Sequence, residues 1–252
     1  MDTKTQKILE QRLIDVNHLR HHIRQIKKYQ GCKIWKIFLK TLSCVKQRHV
    51  DEVFYGIQEY VGLLSHSLAN LPNSEFKLHG RYHYPLDIDF KIIHQINIDI
   101  KRLKNEYKNY NNIDLKNIYF NILLLISHRK IQIGYVQGMA DFLVPFVMEF
   151  IKEEVKFNYF YFAESCSYYC YLSLVEKLEF NIINLQQNLI LRFREEMENI
   201  DPILYAFLYD QELDFNIFCF RWFSCLIFRE FEYDLYLRIF TIMLSYNDIN
   251  RF

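Results

Sequence analysis

The sequence predicts an all-α protein built mainly as one large domain, and three observations carry that prediction. Half of the 252 residues are hydrophobic (51%), enough to enclose a substantial core and to exclude extensive disorder. Only 6 Gly and 4 Pro occur, too few for the many tight corners of an all-β fold. Long stretches repeat apolar residues every three or four positions without a breaker, which is the helical period.

Taken in order, residues 1–30 place Leu9, Leu13, Val16, Leu19, Ile23 and Ile26 on one stripe, opposite Arg20, His21, His22, Arg24, Lys27 and Lys28. This predicts an amphipathic helical extension that packs on the domain in preference to docking on a membrane or partner. The domain itself is expected over residues 31–252, beginning with a helix over 31–44 centred on Ile34, Trp35, Phe38 and Leu39. Residues 68–84 lose periodicity in Asn-Leu-Pro-Asn-Ser and His-Gly-Arg-Tyr-His-Tyr-Pro, and read as a long surface loop. Residues 90–102 fit either period: Ile92, Ile93, Ile96 and Ile100 suit a helix, while Ile-Asn-Ile-Asp-Ile mimics a strand. Helical periodicity then recurs over 115–127, 141–151, 157–178 and 185–198. Asp201-Pro202 has the form of an N-cap followed by proline at the first helical position, and helices are expected over 215–230 and 233–244.

Composition also excludes functions. The 31 basic and 30 acidic residues leave a net charge of +1, without the basic excess of a nucleic-acid binder. The six cysteines (Cys32, Cys44, Cys166, Cys170, Cys219, Cys225) lack companion histidines at ligand spacing. They predict buried free thiols in a reducing compartment, not a zinc site or a disulfide frame. The first thirty residues are charged throughout, unlike a secretory leader. The longest uncharged run, residues 60–74, has 15 residues and includes Ser, His and Asn, so no transmembrane helix is expected. A cytoplasmic location is expected.

No P-loop, GxGxxG, HExxH, GxSxG or Asp/His metal cluster is present, so no metal is expected. A chain without a self-contained active site favours action on another macromolecule. Two segments then stand out. Residues 133–146 read IGYVQGMADFLVPF and set Gln137 between Tyr135 and Gly138-Met139, just before an apolar helical run. Gly134 and Gly138 thin the backbone around Gln137, and Asp141 falls near the positive end of the helix dipole. In residues 96–102, Asp99 and Arg102 lie three apart on one helical face, so the carboxylate can steady the guanidinium. Trp222 and Phe223 read as core. Arg221, Asp141 and Glu230 lie in apolar runs and are expected to form a buried ion-pair cluster.

These segments resemble the TBC family of Rab GTPase-activating proteins. Tyr135-Val136-Gln137-Gly138-Met139 is similar to its Tyr-x-Gln-Gly-Met element, and Ile96 to Arg102 resembles Ile-x-x-Asp-Val-x-Arg, with Leu103 where a threonine usually follows. Asp201 to Leu208 matches Asp-Pro-x-Leu-Tyr-x-x-Leu, Phe220-Arg221-Trp222-Phe223 and Phe228-Arg229-Glu230-Phe231 are similar to two further elements, and Trp35 resembles the tryptophan of the first motif. The resemblance implies a single helical TBC domain that binds a GTP-loaded Rab-family GTPase in vesicle trafficking, with peripheral association at endomembranes. It makes Arg102 an arginine finger and Gln137 a glutamine finger, with Asp99, Tyr135, Gly138 and Met139 supporting them. GTP and magnesium would belong to the partner, and the chain itself would need no cofactor. A catalytically silent Rab-binding protein on the same fold is the alternative. Family domains usually continue for several helices past residues 237–244, so a shortened C-terminal lobe is expected.

Overall fold

The structure, a computed structural model, describes residues 1–67, 90–129, 134–157, 161–182 and 185–246. The loop expected at 68–84 lies outside them. The described residues are almost entirely helical, and the helices starting at Thr3, Val16, Pro202 and Phe215 each begin where an aspartate side chain relieves unpaired N–H groups of the first turn.

Residues 1–30 form two helices where the stripe suggested one. Asp2 caps α1 (Thr3–Leu9) by accepting from the Lys4 and Thr5 N–H groups, and Asp15 caps α2 (Val16–Gln25) by accepting from His18 N–H. A second capping aspartate offers the backbone an alternative to continuing the first helix. Between them the chain runs extended: Ile14 N–H donates to the Cys44 carbonyl at 2.8 Å, and Leu13 pairs with Val45 in an isolated antiparallel bridge. Leu19 and Ile23 are buried in the main core, as the packing expectation required, whereas Leu13 is 66% exposed. His22, on the polar side of the stripe, meets Asp2 at 3.3 Å.

The helix expected over 31–44 is short, because α3 (Lys33–Phe38) ends where Lys40 adopts a φ of 60° and the Thr41 and Leu42 N–H groups both return to the Lys36 carbonyl. Next come α4 (His49–Ser67), which the pattern did not single out, and α5 (Phe90–Arg102), where the helical period wins over the strand-like run. A one-turn α6 (Asn105–Lys108) leads into a small hairpin, β1 (Asn109–Tyr110) and β2 (Ile113–Asp114), closed by Asn111 and Asn112 at φ 47° and 65°.

The main core is built from α7 (Lys116–Arg129), α8 (Met139–Phe157) and α9 (Phe162–Ile182), with α8 packed along α9. α13 (Tyr233–Ser245) closes it against α2 and α3. Trp35 anchors that closure: it is fully buried, its indole N–H donates to Thr241 Oγ1 at 2.8 Å, and its ring meets Phe146 and Phe240 edge-on. From the other side, Arg20 and Arg24 both donate to the Ser245 carbonyl.

A second apolar cluster joins α10 (Leu185–Ile200), α11 (Pro202–Asp210) and α12 (Phe215–Ser224) around Ile190, Phe215 and Cys219. Trp222 packs at its edge, T-shaped against Phe193, so its core assignment holds in this smaller cluster. Asp201 caps α11 by accepting from Leu204 N–H at 3.0 Å, with Pro202 in the first turn as expected. The helix expected over 215–230 instead stops at Ser224. Leu226 and Ile227 take left-handed φ values of 44° and 54°, and a 3₁₀ turn at Phe228–Glu230 follows.

Candidate functional site

Asp99 occupies the last turn of α5, and its side chain is buried (7% exposed). Each oxygen of this carboxylate serves a different element. Oδ1 accepts from Gln95 Nε2 at 3.2 Å and from Arg102 Nη1 at 3.4 Å. Oδ2 accepts from the Tyr135 hydroxyl at 2.8 Å and from the Gly138 backbone N–H at 3.3 Å. One buried anion therefore ties the end of α5 to the segment that leads into α8.

Arg102 is the last residue of α5, and its side chain is 54% exposed. A single long hydrogen bond steadies it and leaves most of the guanidinium fork open. The segment 134–138 is fastened on both sides of Gln137. Tyr135 is held by Asp99, and burial together with that carboxylate raises its phenol above the ordinary tyrosine range, so the hydroxyl stays a donor. Val136 N–H donates to the sulfur of Met139 at 3.2 Å, and the Met139 carbonyl accepts from the Tyr171 hydroxyl at 2.9 Å. Gly138 has a φ of 100°, and a Cβ there would lie 2.4 Å from the Ser224 carbonyl oxygen. Glycine is required twice over, by backbone conformation and by the approach of α12. Gln137 itself is exposed, and among the described residues nothing hydrogen-bonds its side chain.

The expected cluster of Asp141, Arg221 and Glu230 separates into two pairs. Asp141, in the first turn of α8 and 3% exposed, is gripped by Arg229 through two hydrogen bonds of 3.0 and 2.9 Å. Cys225 Sγ adds a weak donor at 3.5 Å. The Asp141 carboxylate holds the Arg229 guanidinium above its usual range. Arg221 and Glu230 pair with each other at 2.7 and 3.0 Å at the surface, with 60% of the Arg221 side chain exposed. The left-handed turn at 226–227 accounts for the difference. It reverses the chain, so Arg229 reaches α8 while Glu230 folds back onto α12.

Sequence reasoning singled out Asp99, Arg102, Tyr135, Gln137, Gly138 and Met139; Asp99 binds Arg102, Tyr135 and Gly138 directly, while Met139 holds Val136 and Gln137 projects between them. It missed Arg229 and Gln95. Gln95 was detectable as a glutamine four residues before Asp99 on a helix. Nothing local distinguishes Arg229 from Arg221.

The all-α fold therefore carries a half-exposed arginine and an exposed glutamine on two segments that one buried carboxylate joins. The sequence profile of the RabGAP-TBC family, described as the Rab-GTPase-TBC domain, matches residues 31–252, and the chain belongs to that family. It is 26% identical to the GTPase-activating protein GYP1 of Saccharomyces cerevisiae over 84% of this chain and 34% of that protein. It is 27% identical to gyp1 of Schizosaccharomyces pombe over 96% of this chain and 48% of that one. The chain therefore spans between a third and a half of these relatives. The crystal structure of the Ypt/Rab-GAP domain of Gyp1p superposes with a TM-score of 0.78 at 24% identity, covering 96% of this chain and 78% of that one.

Proposed function

We propose that this chain stimulates GTP hydrolysis by a Rab-family small GTPase in its GTP-bound state, and that Arg102 and Gln137 enter the partner's nucleotide site together. The observation that carries this reading is the shared Asp99 carboxylate, which sets the end of α5 and the Gln137 turn relative to each other. The matched relatives carry the name GTPase-activating protein, which supports the same reading. The nucleotide and its magnesium belong to the partner, and the chain brings no cofactor. Its place of action is the cytoplasmic face of an endomembrane during vesicle trafficking.

The residue types suit the chemistry. A planar, permanently charged guanidinium matches phosphate oxygens and neutralises the charge that develops as the phosphoryl group transfers. An arginine supplied in this way is worth roughly 10³–10⁵ in rate in related GTPases, or about 4–7 kcal/mol of barrier. The neutral amide of Gln137 can accept a hydrogen bond from the attacking water through its carbonyl and donate one from its nitrogen. Asp99 steadies Arg102 without enclosing it, and Tyr135 and Gly138 hold Asp99 in place by donating to it.

The test is single-turnover GTP hydrolysis by a panel of Rab proteins with and without this chain. At least one Rab is expected to respond, and Arg102→Ala to remove most of the stimulation while GTP-loaded Rab still binds. Arg102→Lys is expected to fail nearly as badly, because an ammonium lacks the fork. Full activity of the lysine variant would reject the assigned role.

A further inference from the structure

We infer that the corner formed by residues 12–13, residues 45–48 and the start of α4 docks on an anionic phospholipid bilayer. The charge of the chain is unevenly distributed. Residues 1–50 contain twelve Lys and Arg against three Asp and Glu, although the whole chain carries only +1. Part of that excess gathers at this corner. Lys46 N–H donates to the Arg12 carbonyl at 3.1 Å, Leu13 bridges Val45, and Arg48 N–H returns to the Val45 carbonyl at 3.0 Å before α4 begins. Arg12, Lys46 and Arg48 are all exposed. Lys33 stands near enough to Lys46 for the two ammonium groups to oppose each other.

The same corner exposes apolar side chains. Leu13 is 66% and Val50 78% exposed, and Phe54, one turn along the same helical face as Val50, is 61% exposed. The carboxylates nearby are Glu10, Asp51, Glu52 and, beside Lys33, Glu153; Glu52 is engaged with Ser43 N–H at 3.0 Å. Basic residues beside aliphatic and aromatic tips match the layered chemistry of a bilayer surface. The cations meet phosphate and carboxylate headgroups while Leu13, Val50 and Phe54 enter the acyl boundary. A nucleic acid offers the charge without the apolar layer. This docking is independent of the Arg102–Gln137 reading, and its test contains no GTPase.

The test is co-sedimentation of the full chain with vesicles of phosphatidylcholine containing about 30% phosphatidylserine, and with phosphatidylcholine alone. Binding is expected only to the anionic vesicles at about 0.1 M salt, and is expected to be lost near 0.5 M, where the Debye length is much shorter. The charge-reversed variant Arg12→Glu/Lys46→Glu/Arg48→Glu is expected to bind at least roughly tenfold more weakly. Leu13→Ser/Val50→Ser/Phe54→Ser is expected to bind the anionic vesicles more weakly at about 0.1 M salt, because the apolar insertion is gone. Unchanged circular dichroism and melting temperature establish that both variants fold, and the single Lys46→Glu variant gives a milder step in the same direction. The proposal is overturned by absence of vesicle binding, by equal binding to neutral vesicles, or by unchanged binding of the charge-reversed variant. Tighter capture of poly-glutamate or duplex nucleic acid than of vesicles overturns it as well.

Discussion

At Gln137 the side chain is exposed while its described neighbours are held. Asp99 holds Tyr135 and Gly138, Met139 holds Val136, and Ser224 crowds Gly138, so the turn keeps its shape while one amide projects. If that amide orients the attacking water, Gln137→Ala should cut the maximal rate of stimulated hydrolysis with GTP-loaded Rab still bound. Gln137→Glu should do no better, since it loses the amide donor and sets negative charge beside phosphate. The Rab should then tolerate loss of its own catalytic glutamine; stimulation that vanishes with that substitution rejects the role. Gly138→Ala tests the scaffold instead. It forces a side chain onto a φ of 100° and into the Ser224 carbonyl, and should cost about 2 kcal/mol or more by denaturant melt. A neutral result would mean that α12 yields freely, and with it the Gln137 turn.

At the scale of elements, the junction of α8 with the turn after α12 rests on Asp141 and Arg229, and the two partners differ in their access to water. Asp141 is 3% exposed and Arg229 44%. Arg229→Met strands a buried carboxylate with only the Cys225 thiol as donor, and should destabilise by roughly 2–3 kcal/mol. Asp141→Asn leaves an arginine that can hydrate, and should cost only about 1 kcal/mol. Equal losses in paired thermal melts would contradict this asymmetry. The pair was hard to foresee from sequence for the same reason that it matters. Arg221 and Arg229 stand in similar apolar contexts, and the two left-handed residues between them decide which one reaches α8. By contrast, the aspartate cap and the proline of α11 were readable, because capping is settled within a few residues. The hairpin at 109–114 also had a local sign, Asn-Asn between short apolar pairs, which went unread.

Across the whole molecule, one carboxylate joins three helices in the interior. Glu164 on α9 accepts from Tyr60 of α4 at 2.8 Å and from Asn121 of α7 at 2.9 Å. Burial pushes its carboxyl up to about 7, partly offset by those two hydrogen bonds and aided by nearby Glu154. The folded protein therefore binds a proton that the unfolded chain releases above the ordinary glutamate range of about 4.3. This contribution to stability is fully present below that range, is lost as pH rises through about 7, and is of order 3–4 kcal/mol. Glu164→Gln should raise the melting temperature relative to the parent at pH well above 7, with the gap closing toward pH 5. A gap independent of pH would show that Glu164 does not titrate in this range.

The helical class and the cap and proline of α11 were determined by the sequence itself, which also singled out Trp35, Asp99, Arg102 and Gln137. Each depends on periodicity, a cap or a short motif, all properties of residues within a few positions of one another. Tertiary structure decided what those residues do together. It placed Asp99 between Arg102 and the Gln137 turn, brought the C-terminal end of α12 against Gly138, chose Arg229 over Arg221 for Asp141, and turned Leu13 outward by splitting the N-terminal helix. These are contacts between residues far apart in the chain, and they form only where separate helices meet. Their geometry depends on left-handed turns and close backbone approaches that no hydrophobic pattern encodes.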